Sequence, residues 1–137
     1  MHLPVMPRDF FQFGYVVRTV EGAMRTMQDR FGVTRWQVRE LPPTAPARRL
    51  AFAYVQGTML ELVEVAPDEP TIYGAWIPKR DEDLRLHHLG YRIDGEAEWN
   101  ARIAGFEVAS ISTALAGVTP AMHWHYADTV SLLGHYV

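Results

Sequence analysis

The sequence predicts an α+β fold: two tandem β-α-β-β-β modules whose strands form a curved mixed sheet around a central cleft. Segments rich in aromatic and β-branched residues recur in both halves of the 137-residue chain, and each half has one segment expected to be helical. The opening of the first half, residues 12–15 (Gln-Phe-Gly-Tyr), returns in part as residues 88–91 (His-Leu-Gly-Tyr). An internal repeat of this kind favours one domain made of two related modules.

The first module is predicted over about residues 8–65. Apolar residues repeat with a 3.6-residue period between Val20 and Phe31, and Gly32 stands where it can end that helix. A Gln-Gly pair at residues 56–57 predicts the tight turn of a hairpin. We expect, in chain order, a strand over 11–17, a helix over 20–31, and strands over 37–41, 50–55 and 58–64.

A connection over about residues 66–84 separates the modules. It carries three prolines and a glycine, which predict a long loop or lid. The second module is predicted over about residues 85–137. Its expected elements are a strand over 88–93, a helix over 96–103, and strands over 106–110, 122–128 and 132–137.

Composition excludes several classes of function. The 13 Lys and Arg residues against 16 Asp and Glu give a net charge of -3, so there is no cationic field for a nucleic-acid partner. With no cysteine, thiolate metal sites and cysteine nucleophiles are excluded. No apolar run approaches the roughly 20 residues of a membrane span, and the first residues lack the pattern of a signal peptide. We therefore expect no membrane partner and a cytoplasmic location.

Three polar residues are candidates for chemistry. Gln12 and His88 occupy equivalent positions in the two opening strands, and Glu61 is flanked by apolar residues in the strand over 58–64. A carboxylate there either faces solvent or is held by a partner inside the protein. Each residue alone is more often structural, but their joint placement favours a metal site. Adjacent His87 and His88 should point to opposite faces of a strand, and the match to Gln12 selects His88.

The donor types restrict the metal. A neutral imidazole, a carboxylate and an amide oxygen suit a divalent ion such as Zn, Ni, Co, Mn or Fe. Glu61 and Glu64 have opposite parity in their strand, so we expect only one of them to share a face with the core and the other to be an ordinary surface charge.

These positions carry a resemblance to the vicinal oxygen chelate superfamily, which includes glyoxalase I, methylmalonyl-CoA epimerase, extradiol dioxygenases and bleomycin-resistance proteins. Gln12, Glu61 and His88 match three of the family's ligand positions. The resemblance implies that these three bind the metal and that Glu61 also moves a proton as the catalytic base. It further implies a small-molecule substrate and a homodimer. The long connection between Glu61 and His88 resembles the epimerase branch.

The family's fourth ligand is a glutamate in the last strand. Residues 133–137 lead up to that position, and the expected carboxylate would be the next residue. We expect that the sequence continues past Val137, the alternatives being that the ligand is lost or that a water or His135 takes its place. The predicted substrate pocket draws on aromatic and histidine side chains from the connection and the second module: Tyr73, Trp76, His123, His125 and Tyr136.

The sequence therefore predicts a metal-dependent isomerase, epimerase or lyase that stabilises an enolate or enediolate of a small oxygenated substrate. One alternative is an Fe(II)-dependent ring-cleaving dioxygenase of the same superfamily, which needs a second histidine ligand from His87, His123 or His135. The other alternative is a metal-free module that binds and sequesters a small molecule such as a drug.

Overall fold

The computed structural model describes residues 8–137 and confirms the α+β class. The N-terminal elements lie close to their predicted positions, including the first helix and the hairpin. No helix within the described residues is long and apolar enough to cross a membrane. The elements are β1 (Asp9–Val17), α1 (Val20–Phe31), β2 (Gln37–Glu40), β3 (Arg49–Val55), β4 (Thr58–Glu64), a 3-10 turn (Gly74–Trp76), β5 (Leu84–Arg92), α2 (Glu96–Val108), β6 (Thr113–Val118), β7 (His123–Ala127) and α3 (Val130–Leu133).

Five strands form one sheet in the order β2-β3-β4-β1-β5, and β6 pairs with β7 in a second sheet. β1 and β4 are parallel, whereas β3 is antiparallel to both β2 and β4. The chain divides into two compact units. The first contains residues 12–88, and the second contains residues 8–11 together with 89–137.

In the unit of residues 12–88, α1 packs on the sheet through its apolar stripe. The Thr19 hydroxyl accepts a hydrogen bond from the Gly22 backbone N–H, which caps the first turn. Gly32 adopts a left-handed conformation with φ of 72° and ends the helix as predicted. The core cluster of this unit consists of Val17, Val20, Ala23, Ala51 and Leu62.

Glu64 corrects the prediction that one glutamate of β4 is an ordinary surface charge. Glu64 is only 6% exposed. Its carboxylate accepts a hydrogen bond from the Val20 backbone N–H at 2.8 Å and pairs with Arg49 at 2.7 Å. Arg49 also pairs with Glu21 on α1. The carboxylate therefore stabilises the positive end of α1 and ties the helix to β3 and β4.

The second unit corrects the predicted elements after residue 103. α2 continues to Val108, so residues 106–108 are helical rather than part of a strand. Phe106 is buried and stacks on the ring of His125 at 5.9 Å, which explains why the helix keeps its next turn. The helix ends at Val108, and Ser110, two residues later, adopts a positive φ of 58°. β6 was not predicted, because Ala and Gly, which are uncommon in strands, make up three of its six residues.

The C-terminal residues differ from the predicted strand over 132–137. Residues 132 and 133 belong to α3, and Gly134 follows that helix with a φ of 81°. Only the last residues then pair with strands of the same unit: the Tyr136 carbonyl accepts from Leu89 N–H at 3.1 Å, and the Val137 carbonyl accepts from Ala127 N–H at 2.7 Å. The glycine allows the reversal that a continuous strand would not permit.

Candidate metal centre

The candidate site lies on β1, β4 and β5, within residues 12–88. Gly14 on β1 pairs in register with Glu61 on β4, and the ring of His88 on β5 covers Gly14 from the other side. A Cβ added at Gly14 would lie 2.0 Å from two atoms of that ring. Position 14 therefore requires glycine, because any side chain there would push the His88 imidazole away from β1.

Glu61 and His88 meet across this glycine. Nε2 of His88 lies 3.0 Å from Oε2 of Glu61. Their side chains are 4% and 12% exposed, respectively, so the pair is largely removed from water. A carboxylate and an imidazole this close share either a proton or a cation between their facing atoms.

Gln12 lies on the same sheet face, two residues before Gly14 on β1. Two residues of a strand span about 7 Å, so Gln12 is a near neighbour of the pair rather than in direct register with it. Its amide Nε2 donates to Sδ of Met59, its partner on β4, at 3.2 Å. The structure thus brings Glu61 and His88 into contact and places the third predicted ligand beside them on one face.

The donor set fits a divalent metal ion. Within residues 8–137 no group of three or more His, Cys, Asp or Glu side chains is placed to bind a metal, so two such ligands and one amide are available. His88 and Glu61 lie within hydrogen-bond distance of each other, so both can turn donor atoms to one point. With Gln12, they would leave positions on a divalent ion for water or substrate oxygens.

Sequence reasoning missed the part played by His87. The two neighbouring histidines are predicted to point to opposite faces, so that only one of them serves the site, yet their Nδ1 atoms lie 2.9 Å apart. His87 is fully buried, and burial together with the nearby His88 lowers its pKa to about 3. The two consecutive histidines are evident in the sequence, but the sequence does not show which residues pack around His87.

The chain around His87 is the connection between the modules. Tyr73 is buried, with its ring 4.8 Å from that of His87, and Trp76 packs edge-on at 5.1 Å. The same connection is held against α1, where the Thr26 hydroxyl donates to the Glu82 carbonyl at 2.7 Å. Tyr73 and Trp76, both predicted to line the substrate pocket, thus pack against the neighbour of a candidate ligand.

The other predicted pocket residues lie in the second unit, on two faces. His123 and His125 face α2, where their rings lie 5.9 and 6.4 Å from that of Trp99. Burial lowers the pKa of His125, and its Nε2 lies 2.8 Å from the Thr113 hydroxyl. Both histidines line an open cavity of about 370 Å³ beside Trp99.

Tyr136 belongs to an aromatic row in the same unit. Its ring lies 6.4 Å from Tyr126, which in turn lies 6.2 Å from Trp124. Trp124 covers Gly117, where an added Cβ would lie 2.1 Å from the indole. Tyr136 is therefore grouped with Tyr126 and Trp124 rather than with the two histidines, because residues of alternate parity on β7 face opposite sides.

The sequence matches the profile of the Glyoxalase/Bleomycin resistance protein/Dioxygenase superfamily over residues 11–127. The chain therefore belongs to this family, which confirms the resemblance to the vicinal oxygen chelate proteins. No protein with a curated description matches the sequence.

Solved structures with the same fold include methylmalonyl-CoA epimerases. The enzyme from Mycobacterium tuberculosis has a TM-score of 0.67 and 15% identity, covering 99% of this chain and 89% of its own. A Streptomyces coelicolor variant in complex with 2-nitronate-propionyl-CoA has a TM-score of 0.69 and 15% identity, covering 96% and 92%. A hypothetical protein from Bacillus halodurans C-125 has a TM-score of 0.70 and 14% identity, covering 93% and 89%. At these identities the similarity establishes the fold.

Proposed function

We propose that this protein is a metal-dependent isomerase, epimerase or lyase that moves a proton next to a carbonyl group. The observation that carries the proposal is the His88–Glu61 pair seated over Gly14, with Gln12 on the same face. This arrangement supplies one imidazole, one carboxylate and one amide, a set suited to Zn, Ni, Co, Mn or Fe in the divalent state. The homodimer, the cytoplasmic location and the substrate contacts of Tyr73, Trp76, His123, His125 and Tyr136 stay predictions.

The residues have distinct roles in this proposal. A bound divalent ion supplies Lewis-acid stabilisation of the oxygens of an enolate. Glu61 is the base: its carboxylate takes the proton as the C–H bond breaks, and the electron pair passes to the carbonyl oxygen. Return of the proton from Glu61 to carbon completes the isomerisation. His88 and the Gln12 amide orient the site, and burial around Glu61 and His88 limits the access of water.

The proposed substrate class is an enolisable acyl thioester. Support comes from the solved structures that share the fold, several of which are methylmalonyl-CoA epimerases, including one in complex with methylmalonyl-CoA and NH4+. The thioester carbonyl acidifies the neighbouring C–H bond, which is the chemical property that the mechanism requires. Hemithioacetals of α-ketoaldehydes are the second class to be tested, since they also carry a C–H bond next to a carbonyl group.

A ring-cleaving dioxygenase is less well supported by this unit. Such a site needs two histidines and a carboxylate around iron. Within residues 12–88 the only histidine besides His88 is His87. Both ring nitrogens of His87 already face hydrogen-bond partners, the Ile72 carbonyl and His88. The proposal therefore favours proton transfer over oxygen activation.

The metal site is tested by elemental analysis of protein purified without added metal or chelator. We expect about one equivalent of a divalent metal in the wild type and at least about tenfold less in Glu61→Ala and His88→Ala. Glu107→Ala and His123→Ala are matched controls on exposed positions and should keep the metal. Unchanged metal content in both site variants would refute the assignment of the ligands.

The reaction is tested by solvent deuterium exchange. Incubation of metal-loaded protein with methylmalonyl-CoA in D2O should place deuterium on the carbon next to the carbonyl, and Glu61→Gln should remove this exchange. The protein-free reaction measures spontaneous exchange. Turnover with complete retention of the original proton, or no exchange with either this thioester or a hemithioacetal, would contradict the proposed chemistry.

A further inference from the structure

His87 lies in a cage formed by the segment that precedes β5. We use the term His87 cage for Ile72, Tyr73 and Trp76. The tyrosine and tryptophan rings enclose the imidazole at 4.8 and 5.1 Å, and the ring is fully buried. The cage supplies one polar contact in addition, because the Ile72 carbonyl lies 3.1 Å from Nε2 of His87.

These contacts fix where the proton of His87 resides. A carbonyl oxygen can only accept a hydrogen bond, so Nε2 of His87 must carry a proton and donate it to Ile72. The other nitrogen, Nδ1, faces Nδ1 of His88 at 2.9 Å. One proton must lie between these two nitrogens for the contact to be attractive, and it belongs to one ring or the other.

Burial decides which ring carries that proton. A second proton on His87 would bury a positive charge between the rings of Tyr73 and Trp76, at a large cost in desolvation. His87 is therefore neutral, with an unprotonated Nδ1 that accepts a hydrogen bond. Nδ1 of His88 must then be the donor. The remaining nitrogen of His88, Nε2, is the atom that faces Glu61 at 3.0 Å.

We propose that His87 is a positioning residue that holds a proton on Nδ1 of His88 and so reserves Nε2, beside Glu61, as the metal-binding atom. This inference rests on the proposed function, since it concerns how His88 binds the metal. A histidine ligand commonly has its second nitrogen fixed by a carboxylate, a carbonyl or water, and here a neighbouring imidazole takes that place. The His87 cage is thereby part of the site, because it acts on His88 through His87.

Two substitutions separate the acceptor from the shape of the ring. His87→Phe keeps an aromatic ring inside the cage but removes the acceptor. His87→Asn keeps an acceptor, because Oδ1 stands as many bonds from Cβ as Nδ1 does. Zn²⁺ titration measures affinity, and long-range ¹H–¹⁵N spectra of histidine-labelled protein report which nitrogen of His88 carries hydrogen and which binds Zn²⁺.

In the wild type we expect hydrogen on Nδ1 of His88 and Zn²⁺ on Nε2. Zn²⁺ affinity should fall about 10- to 100-fold in His87→Phe and be largely restored in His87→Asn. Wild-type affinity and an unchanged His88 spectrum in folded His87→Phe would overturn the inference, as would Zn²⁺ bound to Nδ1 of His88. If His87→Phe does not fold, the wild-type spectrum and His87→Asn still decide.

Failure of the proposed function gives a different result. Wild-type protein that binds no divalent metal contradicts the metal site, whereas the spectrum of that metal-free protein still tests His87. A proton on Nδ1 of His88 and none on Nδ1 of His87 supports the positioning role. The reverse arrangement overturns it independently of any metal.

Discussion

Each of the two units contains a strand glycine that is covered by a ring from a neighbouring strand. In residues 12–88 the ring of His88 covers Gly14, and in the second unit the indole of Trp124 covers Gly117. The added-Cβ distances are nearly the same, 2.0 and 2.1 Å. The contacts of the two rings differ, however. His88 contacts the carboxylate of Glu61, whereas Trp124 packs on Tyr126, which in turn packs on Tyr136.

The comparison shows that a strand glycine covered by a ring does not by itself make a functional site. Both glycines allow a planar side chain to lie flat on the backbone of the next strand. Only the first ring presents a nitrogen to a charged partner in a largely dry environment. The chemistry therefore depends on what lies across the glycine, and the predictions below test that dependence.

The largest expected effect is that of Gly14→Ala. The new Cβ would overlap the His88 ring, whose side chain is only 4% exposed. Zn²⁺ affinity should fall by about 100-fold, and the free energy of unfolding should fall by about 1–3 kcal/mol from overpacking. Calorimetric titration and urea unfolding measure the two effects. Wild-type Zn²⁺ affinity in this variant would mean that the ring is not seated on Gly14.

Glu64→Gln tests the second carboxylate of β4, which lies on the opposite face from Glu61. The substitution removes the negative charge that pairs with the partly buried Arg49 guanidinium and weakens the contact to the first turn of α1. We expect a loss of about 2–3 kcal/mol in the free energy of unfolding. Zn²⁺ affinity of the folded protein should stay near that of the wild type. A large loss of affinity without a loss of stability would place Glu64, rather than Glu61, in the site.

Gly117→Ala is the matched counterpart of Gly14→Ala. Trp124 is only half-buried, so the indole can shift at lower cost than His88, and we expect a loss of about 1 kcal/mol. Zn²⁺ affinity should not change. Urea unfolding of the two glycine variants side by side, with Zn²⁺ titration of each, gives the comparison directly. A loss of affinity in Gly117→Ala would show that the second unit controls the metal site.

Much of the first unit could be predicted from the sequence, and so could the candidate residues that the structure brings together, His88 and Glu61. The repeat of polar-apolar-Gly-Tyr pointed to Gln12 and His88, and the apolar neighbours of Glu61 singled out that carboxylate. These signals are local, since they depend on strand parity and on one glycine. The long-range contacts were different. The burial of Glu64 depends on where α1 begins, which parity within β4 does not reveal.

The sequence did not predict the His87 cage or the end of α2, for a related reason. Tyr73 and Trp76 come from a proline-rich connection whose path the sequence pattern does not define, so their place beside His87 was not predictable. α2 runs through Gly105 and ends at Val108, where neither Val108 nor Ala109 is a typical residue for the end of a helix. Tertiary packing of Phe106 on His125 outweighed the local preference.

The smallest expected effect concerns the pH dependence of stability in the second unit. Burial lowers the pKa of His125 in the folded protein, so the unfolded chain binds a proton more readily. Stability from this group is complete above the ordinary pKa of about 6.5 and is lost as the pH falls from there towards the folded-state pKa. Because His125 is only partly buried, the slope should be well below the roughly 1.4 kcal/mol per pH unit of a single fully shifted group.

His125→Gln isolates that contribution, because glutamine does not titrate and can still bond to the Thr113 hydroxyl. Urea unfolding of wild type and variant at pH 7 and pH 5 should show a smaller loss of stability at pH 5 in the variant. Zn²⁺ affinity at pH 7 should be the same in both proteins, since His125 belongs to the unit whose ring-covered glycine leads only to aromatic side chains. An equal pH dependence in both proteins would mean that His125 is as accessible to protons when folded as when unfolded.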